Sequence, residues 1–173
     1  MSTIKVNNIE NRTGSSITIG GSSTTSLNLA STITGGTLTN TPLFSVYRNG
    51  DQSLSSGAST KIQFDNINFN VGSNWDSSNY RFTATSAGYY SFKGSLGFQG
   101  TISRVILFFY KNSSEWQRGT DINISGATIV HGSTIMYLGV GDYCELYGYA
   151  TGSSLSVRNQ TETWFSGSHL IGA

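Results

Sequence analysis

The stretch FDNINFNVGSNWDSSNYRFTATSAGYYSF, residues 64–92, decides the fold of this chain. It ends in an alternation of two aromatic residues, Tyr90 and Phe92, which is entered through Gly88. Alternate side chains of a β-strand share one face, so both rings can fill the same core. A turn rich in Asn and Ser comes before them, followed by Phe82 as a single strand residue. The stretch predicts the centre of a β-sandwich, and nothing in it is catalytic.

The composition is that of an all-β protein with one main domain and an appendage. Only 11% of the 173 residues are charged, far below the usual quarter or so of a soluble protein. Ser, Thr, Asn and Gly take their place on the surface. Aromatic residues make up 12% of the chain, and aromatic and β-branched residues suit a pleated surface. A chain of this length can bury most of its apolar surface.

Charge and cysteine content argue against several classes of function. The formal net charge is +1 without any basic run, so the sequence predicts no nucleic-acid partner. The single cysteine, Cys144, excludes an intrachain disulfide and a cysteine-built metal site. No segment approaches the roughly 20 apolar residues of a membrane span, and the N-terminus lacks the apolar core of a signal peptide. We therefore expect a soluble product made in the cytoplasm without an export signal.

Short strand-like segments separated by Gly, Asn and Ser turns continue to the end of the chain. They predict strands over residues 43–47, 61–64, 88–98, 104–110, 128–138, 143–149, 155–157 and 163–171. No segment has the period of an amphipathic helix, so the pattern predicts a two-sheet antiparallel sandwich. The run 104–110 is almost continuously apolar, which predicts burial on both faces by a partner sheet or by neighbouring subunits.

The polar stretch 112–118 is predicted to be a loop and contains two candidate partner contacts, Trp116 and Arg118. In a loop, the indole of Trp116 can stack on a sugar or pack on a protein partner. The alternative is a tryptophan that folds back onto the edge of the sandwich.

Residues 1–41 form a separate arm or stalk without any aromatic residue. Their apolar residues come largely as spaced pairs, separated by Gly pairs or by Ser and Thr runs. Such pairs are too small for a core of their own, but three copies on a common axis would bury them. A flexible Ser/Thr/Gly tail is the alternative. The candidate anchoring residues are Ile4, Val6, Ile9, Ile17 and Ile19.

No pattern of residues predicts an enzyme, a metal site or a cofactor. His131 and His169 are the only histidines, and the chain has no Gly-x-Ser-x-Gly turn for a nucleophile. The acidic residues are scattered, without the dense spacing of a calcium loop. Three copies of His169 on an axis could hold an ion, whereas a single His169 would face solvent or stack on aromatic rings. We therefore predict a non-enzymatic protein.

The spacing of several residues in the opening stretch resembles the C1q-like globular head of the C1q and tumour-necrosis-factor superfamily. The residues that carry the resemblance are Phe64, Trp75, Asp76, Asn79, Phe82, Gly88, Tyr90 and Phe92. Three further segments follow in the order of that family: Tyr110-Lys111-Asn112, Gly141-Asp142 and Phe165-Ser166-Gly167. Ser168 and His169 depart from the family pattern, which usually has one bulky residue after the glycine. The resemblance covers residues 42–173.

The resemblance implies a ten-stranded antiparallel jelly roll that assembles as a homotrimer around a three-fold axis. In such heads, aromatic and aliphatic residues of the long strands fill the core and meet at the axis. A neighbouring copy would then cap the outer face of the apolar run 104–110. The candidates for core or axis are Tyr90, Phe92, Phe108, Tyr110 and Phe165.

The N-terminal segment Ser2–Gly14 resembles the N-termini of virion structural proteins from aquatic tailed phages. This resemblance implies a structural protein of a bacteriophage particle that is anchored to other virion proteins through residues 1–41. A fibre-like appendage whose head contacts a host-surface glycan or protein is the first hypothesis. A capsid decoration protein at three-fold positions of the shell is the alternative, and a soluble C1q-like binding module or lectin is the second alternative.

Overall fold

The computed structural model describes residues 42–159 and 161–172, and every strand pairing in this part of the chain is antiparallel. The predicted all-β class is therefore confirmed. The arm 1–41, with its candidate anchoring residues Ile4, Val6, Ile9, Ile17 and Ile19, lies outside the described residues. The strands are β1 (Leu43–Tyr47), β2 (Gln52–Ser53), β3 (Ser59–Lys61), β4 (Asn66–Val71), β5 (Trp75–Asp76), β6 (Arg81–Thr83), β7 (Gly88–Lys111), β8 (Ser114–Asn123), β9 (Thr128–Leu138), β10 (Tyr143–Val157) and β11 (Trp164–Gly172).

The long strand β7 belongs to two layers. Its N-terminal half, residues 88–98, pairs with β9 on one side and β11 on the other, and β11 continues to β1 and β4. We call this the first layer, with the order β4-β1-β11-β7-β9. The C-terminal half of β7 pairs with β8 and β10, and β10 also pairs with β2, β3 and β6. These strands, with β5 beside β6, form the second layer.

Glycine permits the crossing of β7 between the layers. Gly100 has a φ of 127°, and Gly152 on the paired strand β10 has a φ of 141°. A Cβ atom at Gly152 would lie far inside the contact distance of the Thr101 carbonyl oxygen. Only glycine adopts such angles without strain, so these two positions allow the strand pair to bend.

Aromatic side chains from both layers fill the core. Phe165 on β11 packs against Phe44 at 5.0 Å, Phe64 at 5.9 Å and Trp75 at 6.0 Å between ring centroids. Phe82 lies 5.1 Å from Phe44. The centroid separations fall in the favourable range for aromatic pairs. The residues of the opening stretch therefore meet because the fold brings their strands together.

Asp76 has a structural function in the opening stretch. Its carboxylate accepts hydrogen bonds from the backbone N–H groups of Ser78 and Asn79 at 2.9 and 3.1 Å, and from the Asn79 side-chain amide at 2.7 Å. The side chain thereby closes the polar turn that leads into β6. The hydrogen bond from Asn79, with those from the two backbone groups, lowers the pKa of Asp76.

The predicted loop at 112–118 is wrong, because these residues form a tight hairpin and the start of β8. Asn112 and Ser113 have φ values of 50° and 64°, as a two-residue type I′ turn requires. β8 then pairs with β7 from Ser114 onward. The polar sequence was misleading because an edge strand is hydrated on its open side and needs no apolar alternation there.

The apolar run in β7 is covered on both faces within a single chain. Leu107 and Phe109 enter the core, whereas Phe108 points to the outer side of the second layer and is only 3% exposed. The guanidinium of Arg118 lies 5.3 Å from the Phe108 ring centroid. Side chains of β8 and β10 therefore cover this run within one chain, and its burial does not require another copy.

Asp142 joins the turn before β10 to the hairpin after β7. Its carboxylate accepts hydrogen bonds from the Asn112 side-chain amide at 2.8 Å and from the Gly139 backbone N–H at 2.9 Å. The Lys111 ammonium lies 2.9 Å away. The Asn112 hydrogen bond contributes most, and together these groups lower the pKa of Asp142 from 3.8 to about 2.

The Asp142→Ala substitution is expected to lower the free energy of unfolding by about 1–2 kcal/mol at neutral pH. Because the folded-state pKa is the lower one, the contribution is complete above the unfolded value of 3.8 and is lost as the pH falls towards 2. Urea unfolding at several pH values between 6 and 2 should therefore show the difference from the wild type shrinking. A difference that stays constant over this range would contradict the assignment.

No helix that could cross a membrane occurs among the residues that the structure describes.

Candidate interaction faces

The two layers differ sharply in charge. Lys93 is the single Lys, Arg, Asp or Glu in the strands of the first layer, which are β1, β4, β9, β11 and residues 88–98 of β7. The second layer contains charged residues on β3, β5, β6, β8, β10 and the C-terminal half of β7. A sheet surface that is left in water ordinarily contains charged side chains, so the first layer has the composition of a covered surface.

Large apolar side chains are nevertheless exposed on the first layer. We call the outward side of this layer the apolar face. Ile135 on β9 is 60% exposed, and its strand neighbour Tyr137 packs on Tyr89 at 5.6 Å while remaining 41% exposed. An apolar patch of this kind on a single chain usually marks an interaction site. Its exposed members are Ile67, Phe69, Val71, Tyr89, Ile129, Ile135, Tyr137 and Leu170.

A groove of about 440 Å³ crosses the apolar face. Phe69 and Leu43 line one side, Leu170 lines the other, and Lys93 and Ser91 reach it from β7. Serine hydroxyls and one ammonium are therefore the only strongly polar side chains among its lining residues. The groove is suited to apolar side chains of a partner rather than to chemistry on a substrate.

The outward side of the second layer has different chemistry, and we call it the tyrosine face. It comprises Ile106, Phe108, Tyr110, Glu145, Tyr147 and Tyr149. The rings of Tyr110 and Tyr147 are stacked with a centroid separation of 4.0 Å and an interplanar angle of 19°. Charged side chains of β3 and β8 border these residues. The two layers thus present one face of aliphatic, aromatic and serine residues and one of tyrosines with ion pairs.

The structure separates the five candidates for core or axis. Tyr90, Phe92 and Phe165 are 0% exposed and belong to the core between the layers. Phe108 and Tyr110 lie on the tyrosine face instead, 6.0 Å apart between ring centroids. Alternation alone could not assign these rings to a side, because β7 changes layer between the two sets.

The structure also separates the two candidate partner contacts. The Arg118 guanidinium covers Phe108 on the tyrosine face. Trp116 is 48% exposed, and its ring lies 5.9 Å from the Lys111 ammonium, which itself lies 5.8 Å from the Tyr137 ring. The two side chains therefore have different neighbours, although only one residue separates them in sequence.

The histidines lie in different surroundings. His169 contacts Tyr90 with a centroid separation of 4.8 Å and an interplanar angle of 46°, so the two rings are tilted rather than stacked. His131 lines a second depression of the apolar face together with Lys93 and Trp164. Within residues 42–159 and 161–172, no group of three or more His, Cys, Asp or Glu side chains is placed to hold a metal ion.

The sequence reasoning missed β4 as a part of the apolar face. The segment Asn66–Val71 alternates Asn with Ile67, Phe69 and Val71, which is the period of a strand with one apolar side. That signal was present in the opening stretch. Its apolar side turned out to be exposed, so the pattern alone would have suggested a core strand.

The comparisons with known proteins agree on the fold. The family model described as C1q domain matches residues 43–171. The globular domain of zebrafish complement 1qA protein superposes with a TM-score of 0.59 at 18% identity, covering 77% of this chain and 100% of that one. Murine APRIL at pH 5.0 superposes with a TM-score of 0.58 at 9% identity, covering 74% and 98%. Comparison with the curated proteins found no match. With its two antiparallel layers and its aromatic core, the chain belongs to the C1q domain family and has the jelly-roll fold of the C1q and tumour-necrosis-factor superfamily.

Proposed function

We propose that this chain is a non-enzymatic structural protein of a bacteriophage particle, in which a homotrimeric C1q head is displayed for attachment to the host surface. The observation that carries the proposal is the apolar face with its single charged residue, Lys93. The resemblance of Ser2–Gly14 to phage virion proteins supports the particle, and residues 1–41 supply the connection to other virion proteins.

The distribution of the apolar side chains is compatible with a ring of copies. Phe69 lies on β4 and Ile135 on β9, which are the two outer strands of the first layer. Four strand spacings separate them, about 19 Å. One copy can therefore present its β9 side to the β4 side of the next, which is a head-to-tail contact that closes as a ring. A homotrimer is the ring size that the family resemblance implies.

The Ile135→Asp substitution is expected to convert the trimer into a monomer. Each contact would then bury a carboxylate among apolar side chains, and a three-membered ring repeats that cost three times. Light scattering coupled to size exclusion at micromolar concentration measures the outcome. Val140→Asp is the matched control, because Val140 is 73% exposed in the turn after β9 and should leave the trimer intact.

Far-UV circular dichroism on both variants checks that the sandwich is folded. A wild-type protein that is monomeric at this concentration would contradict the trimer. So would an Ile135→Asp variant that remains a trimer.

The particle assignment has a separate test. Phage particles assembled with the full chain and with a chain lacking residues 1–41 are compared by protein content, and the truncated chain is expected to be lost from the particle. Cryo-microscopy of the complete particle then gives position and copy number. A few copies at the tail support the appendage, whereas many copies at shell three-folds support capsid decoration. Incorporation that does not depend on the arm would contradict the anchoring role.

A further inference from the structure

The residues at the base of the tyrosine face, Ile106 and Phe108, are already buried within a single chain. Phe108 and Ile106 are each 3% exposed, and cross-strand neighbours Tyr147 and Tyr149 on β10 stand opposite them. The guanidinium of Arg118 lies over Phe108 at 5.3 Å, and that of Arg104 lies 6.0 Å from the Tyr149 ring centroid. What remains in contact with water is tyrosine and arginine rather than aliphatic surface.

The charged groups that border the face are fixed in pairs. Arg104 binds Asp121 through two hydrogen bonds of 2.9 and 2.8 Å. Arg118 donates to Glu115 at 2.9 Å and to Asp121 at 3.1 Å. These ion pairs hold the guanidinium and carboxylate groups in position before a ligand binds. Pre-organisation of this kind reduces the entropy lost on binding.

The opposite border of the face has a fourth ion pair, whose carboxylate has one oxygen without a hydrogen-bond donor in the described part of the chain. Glu145 is 1% exposed, and its Oε1 accepts a hydrogen bond of 2.6 Å from the Lys61 ammonium. Its other oxygen, Oε2, has no hydrogen-bond partner among the residues that the structure describes. A buried carboxylate oxygen without a donor is unfavourable, so this position favours an internal water that brings an O–H group.

The hydroxyl of Tyr147, which lies two residues after Glu145 on β10, remains a donor. Burial, followed by the negative charge of Glu145 and the presence of Tyr110 and Tyr143, raises the pKa of Tyr147 to about 12. The hydroxyl is therefore protonated at any physiological pH. Donors and acceptors occur together around the stacked rings of Tyr110 and Tyr147.

We propose that the tyrosine face binds a neutral saccharide, with a pyranose ring packed on the Tyr110 and Tyr147 side chains. A pyranose has an apolar C–H face that fits an aromatic ring and a rim of hydroxyls that need both donors and acceptors. Arg118 and Glu115 offer both on one border, and the Lys61 ammonium offers a donor on the other. This inference rests on the proposed function, because it names the class of host-surface ligand that the displayed head would contact.

The balance of charge favours a neutral ligand over an acidic one. Lys61, Arg104 and Arg118 supply three positive charges, and Glu115, Asp121 and Glu145 supply three negative ones. The sum is zero, and every cation is already paired with a carboxylate. A polyanion such as nucleic acid or a sulfated glycan binds where cations are in excess, and here no excess exists.

The test uses the full chain and a printed panel of neutral gluco-, galacto- and manno-oligosaccharides, with heparin as the acidic probe. Retention of at least one neutral oligosaccharide is expected, followed by titration of that compound by calorimetry. Tyr147→Ala and Arg118→Ala should each weaken its binding by about tenfold or more, because each removes a central contact. Arg158→Ala is the matched control. Arg158 is also paired with a glutamate, at 2.7 Å, but lies outside the face, and its loss should leave affinity within about twofold.

Tyr147→Phe keeps the ring and removes only the hydroxyl, so it separates loss of a ligand contact from loss of folding. Circular dichroism and light scattering on each variant report whether sandwich and trimer persist. Binding of heparin alone would overturn the proposal, as would the absence of any neutral ligand. Binding that survives both Tyr147→Ala and Arg118→Ala would overturn the location. None of these outcomes contradicts the proposed trimer or the proposed position in the particle, because both are measured in separate experiments.

Discussion

Replacing Phe165 by alanine is expected to lower the free energy of unfolding by about 3–5 kcal/mol, which is the usual cost of removing a fully buried phenylalanine. Phe165 is 0% exposed and lies within 6.4 Å of five aromatic ring centroids, those of Phe44, Phe64, Trp75, Phe92 and Phe109. These rings come from both layers. The cavity cannot collapse without separating strands that are held by backbone hydrogen bonds, so little of the cost would be recovered by relaxation.

Urea unfolding followed by tryptophan fluorescence measures this effect at one fixed protein concentration, since assembly makes stability depend on concentration. Phe165→Leu should lie between the wild type and Phe165→Ala, because it leaves a smaller cavity. Val140→Ala, at an exposed turn position, should stay within about 0.5 kcal/mol of the wild type. A Phe165→Ala variant of unchanged stability would mean that the ring is not packed between the layers.

Replacing Lys61 by methionine is expected to lower the free energy of unfolding by about 2–4 kcal/mol. The substitution keeps the aliphatic stem and removes the ammonium that lies 2.6 Å from Glu145. Glu145 would then be a carboxylate that is 1% exposed and without its cation. The Lys61 side chain is 33% exposed, which places the cost below that of a fully buried pair.

A second substitution shows whether the buried charge is the cause. Glu145→Gln in the Lys61→Met background removes the charge and should restore much of the lost stability, giving a coupling of about 1–3 kcal/mol in the double-mutant cycle. Additive effects of the two substitutions would contradict the pairing. The same equilibrium unfolding measurement serves for all three variants.

The local sequence pattern was sufficient to predict most of the long strands individually. Thr128–Leu138 was predicted as a strand before the turn Gly139–Asp142, and the predicted bounds agree with those of β9 in the structure. Asn112 forms the hairpin turn after β7, where its φ is 50°, a conformation that Asn tolerates. The polar sequence of β8, in contrast, was misread as a loop, since the partner that makes it a strand lies on β7 and is not part of the local pattern.

The candidate faces depended on the pairing of distant segments. Lys93 becomes the only charged residue of a layer once β1, β4, β9 and β11 are known to be its neighbours. The tyrosine face likewise requires the register that sets Tyr147 of β10 opposite Phe108 of β7. Such pairings join residues far apart in sequence, and strand propensity contains no information on which strands become neighbours.

The sequence by itself determined the all-β class and, through the spacing from Phe64 to Phe92, the family. These features follow from the two-residue period of strands and from rings that must share one core. Only the tertiary structure decided which aromatic residues fill that core and which remain outside. Tyr90, Phe92 and Phe165 turn inward, whereas Phe108 and Tyr110 turn outward, because β7 changes layer near Gly100. The same crossing separates an apolar face suited to self-assembly from a tyrosine face suited to a ligand.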